Sequence, residues 1–355
     1  MAPSPADLAR ALGGHAGIVI QQIATAAGLR YADSADLNAL LDECRGRVLG
    51  VVGFGKPSPS PRHIASAWAD MPVIGTDRAF EVWTSAAPVL AQTSGRIRSA
   101  RNAQVLFGCV EIPDDDRTDY DVLIYNDYCA IFDHLDDLGY PHLIRIWHYL
   151  PDIHLEERAL ERYKRFSLGR HEAFVAKGRA INTDAPAASA VGKRAGNTVI
   201  CFLAATRPGI PIENPRQVSA YSYPAQYGPR GPTFSRALLT SWDGLKQLYI
   251  SGTAAIFGHL SQHQGNVGAQ VDETIINLRS VMDEAHAHGL IDVRQGADLL
   301  FKVYLRQPEF RAITEARLRE AFGPAPSIIY LQADICRREL LVEIEVVCTA
   351  GARPS

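Results

Sequence analysis

Short apolar runs alternate along the chain with stretches in which apolar residues recur every three to four positions. The first pattern is that of buried strands, the second that of amphipathic helices. In the first half, residues 47–54 (RVLGVVGF), 104–112 (QVLFGCVEI) and 121–125 (DVLIY) read as strands, and 128–138 and 156–166 as helices. The second half opens on a strand at 197–203 (NTVICFL). A Pro/Gly/Tyr-rich connection follows at 207–232. Structureless stretches of that length inside a compact domain are uncommon and usually functional or disordered. Arg216, Tyr221, Tyr223, Tyr227 and Arg230 within it argue against disorder. A strand at 248–252 precedes a helix at 271–286, where Val271, Ile275, Leu278, Met282 and Ala285 form one apolar stripe. A strand at 299–305, a helix at 313–322 and two closing strands at 327–334 and 339–348 complete the chain. This order predicts an α+β fold, with helices laid on one face of a mixed sheet.

Organisation and composition refine that picture. No repeat period is visible, and 355 residues suggest two domains. The segment 56–62 (KPSPSPR) reads as a surface loop. The soft stretch 182–193 places the boundary, giving domains 1–190 and 191–355. With 47% hydrophobic residues the chain can build full cores without disulfide or metal, and disorder of its bulk is excluded. A net charge of −3 gives no global footprint for nucleic acid or an anionic membrane, so neither is expected as a partner. Six cysteines without a CxxC pair fit reduced thiols in a cytosol. The start, MAPSPADLARALGGHAG, lacks the pattern of a signal peptide, and no run reaches the length of a membrane span. The expected location is cytoplasmic.

Familiar chemical motifs are missing. GVVGFG at 50–55 has the wrong offsets for a dinucleotide fingerprint, and no P-loop, GxSxG or HExxH occurs. His259 and His263 are four apart without an acidic residue between them, and ordinary polar residues explain them better than a metal site. In Val342-Glu343-Ile344-Glu345-Val346 the side chains alternate, so the carboxylates share one face of a strand. Partial desolvation there would raise a carboxyl pKa and suit a general acid. A solvated sheet face fits the same pattern, which does not choose between the two. Arg and Tyr supply a second constellation. Tyr163 and Arg170 lie seven apart, two helical turns, although Gly169 suggests that the helix ends nearby. Tyr223 and Arg236 flank QYGPRGPTFSR. Arginine forks bind carboxylates in paired hydrogen bonds, and tyrosines add neutral donors. For any single arginine, a solvated surface position is the commoner explanation.

Three stretches carry a family resemblance: 213–236 (ENPRQVSAYSYPAQYGPRGPTFSR), 248–259 (LYISGTAAIFGH) and 330–347 (YLQADICRRELLVEIEVV). Together they resemble the chorismatase family, whose members convert chorismate with loss of pyruvate. Trp147-His148-Tyr149 and 161–170 (ERYKRFSLGR) fit in the right order, so the likeness spans roughly 45–350. Residues 249–347 are also similar to a YjgF-type unit. The resemblance therefore implies a YjgF/chorismate-mutase-like α+β fold of mixed sheets with helices on one face, in two domains. YjgF proteins place an arginine just before the penultimate strand, whereas Pro324-Ala325-Pro326-Ser327 has none, which counts against simple imine deamination.

Residue by residue, the resemblance makes Tyr163, Arg170, Tyr223 and Arg236 the substrate-binding set and Glu343 the catalytic acid. Cys336 falls where family members divide, and a cysteine there resembles the hydroxybenzoate-forming branch. A small buried hydrophobe is the plain reading of the same residue. The implied function is cleavage of the enolpyruvyl ether of chorismate to pyruvate and a hydroxybenzoate, 3-hydroxybenzoate before 4-hydroxybenzoate. A hydrolytic chorismatase yielding 3,4-dihydroxycyclohexa-1,5-diene-carboxylate is the alternative, with an imine deaminase or a non-catalytic binder more distant. The implied partner is chorismate alone; no metal or other cofactor is called for, and the expected state is a monomer.

Overall fold

A computed structural model of the chain describes residues 26–55, 64–75, 77–114, 118–242, 244–289, 298–324 and 326–350. The proline-punctuated loop expected at 56–62, the N-terminal stretch 1–17 and Ala325 lie outside them. Three sheets form in succession. The first has β1 (Gly28–Asp33), helix α1 (Leu37–Glu43), β2 (Val48–Phe54), β3 (Ser66–Ala69) and β4 (Arg78–Thr84), in spatial order β1-β4-β2-β3. The second begins with a meander of β5 (Leu90–Ser94), β6 (Ile97–Arg101) and β7 (Val105–Ile112). Helix α2 (Tyr120–Leu138), β8 (His142–Pro151), a hairpin of β9 (Glu156–Glu157) and β10 (Leu160–Glu161), and α3 (Arg162–Ala176) follow. Then β11 (Ala187–Lys193) and β12 (Thr198–Ala205) close the order β11-β8-β12-β7-β6-β5.

The third sheet starts with β13 (Ile210–Ile212), β14 (Ala237–Trp242) and β15 (Leu245–Thr253). A small hairpin, β16 (Ile256–Phe257) and β17 (Leu260–Ser261), leads to α4 (Val267–Ala287) and β18 (Asp298–Leu305). Helix α5 (Arg311–Phe322), β19 (Ser327–Gln332) and β20 (Val342–Ala350) complete it, in order β13-β14-β15-β20-β18-β19.

One frame recurs in all three. The last strand of each unit inserts between the strands that flank its first helix, and the penultimate strand runs parallel to its neighbour. No sequence period announced this repeat, because the shared feature is burial pattern and connectivity rather than residue identity. Each sheet turns one face to its own helix or helices. Ile200, Phe202 and Ala204 of β12 pack with Ile124, Tyr128 and Phe174, and Val342, Ile344 and Val346 of β20 pack with Val271, Leu278 and Leu318. The opposite faces share a single core, drawn from Leu29, Val52 and Trp83 of the first sheet, Phe107, Tyr149 and Leu203 of the second, and Tyr249, Leu300 and Tyr304 of the third. A strand buried on both faces reads as a continuous apolar run, which is why β12 (TVICFLAA) stood out in the sequence.

The α+β class with one-sided helices is therefore as expected, but several details are corrected. Residues 121–125 belong to α2, where Tyr120, Ile124, Tyr128, Ile131 and Leu135 form a helical stripe; period outweighs β-branched content. The helix expected at 156–166 begins only at Arg162, after the β9–β10 hairpin. It does not end at Gly169 but runs to Ala176. A Cβ on Gly169 would lie 2.1 Å from the carbonyl oxygen of Asp121, so this glycine is the point where α3 crosses the start of α2. The boundary expected between residues 190 and 191 falls inside β11, which with β12 completes the second sheet. Three sheets pack around one core. None of the six cysteines forms a disulfide.

Candidate active site

Between the second and third sheets lies a cavity of about 250 Å³, adjoined by a smaller one of about 40 Å³. Tyr163, Pro232, Phe234, Gly252, Cys336 and Glu343 wall both of them. The long connection 213–236 forms the roof and is tied down on its own terms. Arg216 Nε donates to Asn277 Oδ1 (3.0 Å), the Gln217 amide to the carbonyl of Ile256 (2.9 Å), and the Val218 backbone N–H to Gly258 (3.0 Å).

Strand β20 sends Glu343 and Glu345 to the inner side of the third sheet, because its alternate residues are claimed by the helix-side core. Both carboxylates are buried, at 3% and 5% exposure, so the solvated-face reading of this pattern is excluded. Their surroundings differ. Glu345 receives the Lys302 ammonium at 2.6 Å, the Trp147 indole N–H at 2.9 Å, the Arg145 guanidinium and the Ser189 hydroxyl. Burial alone would raise its pKa, but Lys302 and then Arg145 hold it below the ordinary range, so it is ionised. Lys302 also pairs with Glu81 of β4 at 2.9 Å, so this ionic cluster joins all three sheets. Among the described residues no cation pairs directly with Glu343. Burial, and then the Glu345 charge, push its carboxyl up to about 8 against the opposing pull of Arg145. It is protonated at neutral pH. A Cβ on Gly252 would lie 1.9 Å from Glu343 Oε1, so the glycine of β15 creates the room in which that carboxyl sits.

The remaining residues singled out in the sequence converge on the same place. Tyr163 and Arg170 both line the smaller cavity from α3, two turns apart on one face. Arg170 is 3% exposed, and its Nε and Nη2 have no partner among the described residues. Its guanidinium lies 5.5 Å from the Tyr128 ring centre and 5.6 Å from that of Phe174. A buried guanidinium with N–H groups facing a cavity is chemically suited to an anion. Tyr163 is pushed well above the ordinary phenol range by burial, then by Cys336 and Glu343, and stays a neutral donor. Cys336 is likewise held as a thiol, raised to about 12 by burial and the nearby Glu343. Tyr223 lines the larger cavity. Arg236 stands behind it, donating to the Tyr223 hydroxyl (2.8 Å) and the Val218 carbonyl (2.7 Å), with a buried Nε left unpartnered.

Sequence reasoning missed several members of this arrangement. Arg337 lies 4.0 Å from the Tyr227 ring centre and donates to the His259 carbonyl (2.9 Å), pinning the roof to the β16–β17 hairpin. Arg145 and Lys302 define which glutamate is ionised, Glu81 is the second partner of Lys302, and Ser189 bridges Arg145 to Glu345. Charged residues at inward-facing positions of otherwise apolar strands (LIRIW, LFKVY) were the available signal. Among the described residues no group of three or more His, Cys, Asp or Glu side chains is placed to hold a metal, and no helix is long and apolar enough to cross a membrane.

The chain is similar to several known proteins. Residues 81–204 match the family described as chorismatase FkbO/Hyg5-like, N-terminal. The chain is 36% identical over 277 residues to a 3-hydroxybenzoate synthase of Streptomyces hygroscopicus, covering 75% of this chain and 80% of that protein. It is 35% identical over 283 residues to a chorismatase of Streptomyces rapamycinicus, covering 76% and 83%. A crystal structure of a chorismatase superposes with a TM-score of 0.80 at 31% identity, covering 91% of this chain and 98% of the other.

Proposed function

We propose, on the premise that this chain belongs to the chorismatase family, that it converts chorismate to pyruvate and a hydroxybenzoate. The observation that carries the reading is a neutral Glu343 carboxyl facing a cavity whose other wall holds Arg170, with its Nε and Nη2 unpartnered among the described residues. Chorismate is a dianion with a ring carboxylate and an enolpyruvyl ether. Arg170 with Tyr163 takes one carboxylate, and Tyr223, backed by Arg236, takes the other. Glu343 donates its proton to the enol-ether methylene, which becomes a methyl group, and positive charge appears at the former vinyl carbon. A carboxyl neutral at pH 7 through burial is suited to that step, and the carboxylate it becomes stabilises the adjacent cation.

Two outcomes compete from the cation. Addition of water gives a hemiketal that collapses to pyruvate and a diene diol. Attack by the ring hydroxyl of the substrate instead gives a cyclic ketal. Loss of a ring proton with cleavage of one ring C–O bond then aromatises the ring. The departing oxygen stays on the former vinyl carbon, and the resulting hemiketal collapses to pyruvate and a hydroxybenzoate. Pyruvate plus hydroxybenzoate contains the same atoms as chorismate, so this second route consumes no net water and benefits from its exclusion. The walls of Tyr163, Phe234 and Pro232 and the protonated Cys336 support the aromatic outcome, 3-hydroxybenzoate first, as does the 3-hydroxybenzoate synthase among the relatives. The reading includes a monomer, supported by three like sheets that close one core within a single chain. The test is incubation with chorismate: one pyruvate per chorismate and a chromatographically identified hydroxybenzoate are expected. Absence of pyruvate overturns the reading, and a diene diol as sole product overturns the aromatic branch.

A further inference from the structure

Behind Arg170, between helices α2 and α3 and the second sheet, lies a row of polar groups that the proposed reaction does not use. His148 of β8 is fully buried, with Nδ1 2.7 Å from the Ser189 carbonyl oxygen and Nε2 2.5 Å from the Tyr128 hydroxyl. A carbonyl oxygen only accepts, so Nδ1 carries the hydrogen. Burial, and then the charge of Arg170, hold this imidazole well below its ordinary pKa, so it is neutral and Nε2 is an acceptor. Tyr128 therefore gives its single hydroxyl proton to His148. The phenol oxygen is left with lone pairs only for its other neighbour, the Arg170 guanidinium, whose centre lies 5.5 Å from the Tyr128 ring centre and whose charge draws the phenol pKa down against burial. Hydrogens thus point one way along the row, from Arg170 to Tyr128 to His148 to Ser189.

The row is held rigidly. The His148 and Phe166 rings meet edge to face at 4.7 Å, Phe132 and Phe174 at 4.9 Å, and Tyr128 packs 6.4 Å from Phe166. The Gly169 crossing fixes α3 against α2 one residue from Arg170. Of the Arg170 nitrogens, Nε and Nη2 are the ones buried without a partner. A buried Tyr–His pair could serve packing alone, but packing does not require its hydrogens to be ordered toward a guanidinium.

We propose that Tyr128 and His148 are positioning residues that set the rotation of the Arg170 guanidinium, presenting its Nε and Nη2 hydrogens to a substrate carboxylate. This rests on the reading of the pocket as a chorismate site. The effect belongs to binding and is felt equally before and during the chemical step, so it appears in KM rather than kcat. Tyr128→Phe is expected to raise KM for chorismate about tenfold, the range for losing one hydrogen bond to a charged group, with kcat within about twofold. Adding Tyr128→Phe to Arg170→Ala is expected to raise KM no further, because the interaction it acts through is already gone. His148→Phe should reproduce Tyr128→Phe, and His148→Gln, which keeps an acceptor for the hydroxyl, should restore KM toward the wild type.

An unchanged KM for Tyr128→Phe, or KM increases that multiply in the double variant, overturns the proposal. So does a His148→Gln variant no better than His148→Phe. If Tyr128→Phe does not fold, the cycle of His148→Phe with Arg170→Ala reads the same coupling. If the wild-type chain releases no pyruvate from chorismate, it is the reaction that fails, and the cycle is then read from the calorimetric Kd for chorismate.

Discussion

The second and third sheets share one strand order, yet their central strands differ where they face the common core. In β12 the inward positions are Val199, Cys201 and Leu203; in β20 they are Glu343, Glu345 and Val347. Register makes the comparison tight. Leu203 lies opposite Arg145 and Cys201 opposite Trp147, while Glu345 lies opposite Lys302 and Glu343 opposite Tyr304. One frame thus carries an apolar wall in one copy and two carboxylates in the other. Within the acidic copy a second division follows. Glu345 takes cations from both sheets, Arg145 and Lys302, whereas Glu343 is left with a glycine, aromatic walls and its neighbour's charge. A strand two residues long in its functional part therefore holds one structural anion and one acid.

Restoring the apolar frame at each position tests this division. The largest effect is expected at Glu343. Glu343→Gln, or Glu343→Cys to match β12, should lower pyruvate release by about 10²–10⁴-fold, the usual contribution of a positioned acid. Near-wild-type turnover would remove Glu343 from the chemistry. Glu345→Leu, the β12 counterpart, should act on folding: stripping one partner from a buried ionic cluster costs about 3–5 kcal/mol, read from urea unfolding. Equal stability would show that the cluster is not what joins the sheets.

Glu345→Gln addresses the coupling between the pair. Removing its charge takes away one of the influences that raise Glu343. The alkaline limb of kcat/KM, set near pH 8 in the wild type, should move to lower pH, and an unmoved limb would contradict the coupling. Stability offers a further check. The folded-state pKa of Glu343 is raised above its unfolded value, so protonation of this group favours the fold below about pH 4.5 and that advantage is lost as pH rises to about 8. Glu343→Gln should match the wild type in acid and become the more stable protein across that window, by a few kcal/mol at its upper end. The smallest effect is expected for Cys336→Ala, a change in the ratio of aromatic acid to diene diol with little loss of rate, measured by chromatography.

Much of this was legible in the sequence, and the reasons differ by feature. Alternation in VEIE gave the shared face of Glu343 and Glu345, because a strand offers no other way to place them. It could not tell which of the two is ionised, since the deciding cations sit at residues 145 and 302, on strands of different sheets. Tyr163 and Arg170 were paired by helical spacing, but Gly169 was misread because a packing glycine and a terminating glycine look alike without the partner helix. The threefold recurrence of the frame was invisible for a related reason. The three central strands keep their connectivity while their sequences, RAFEVWT, TVICFLAA and VEIEVVCTA, share no motif.

The protonation state of Glu343 in the resting protein tests the central claim most directly. Infrared difference spectra of wild type against Glu343→Gln, recorded as a function of pH, isolate the carbonyl stretch of this one carboxyl. The band of a protonated acid present at pH 7 and lost in a transition near pH 8 is the expected result. A carboxylate already ionised at pH 7 would contradict it.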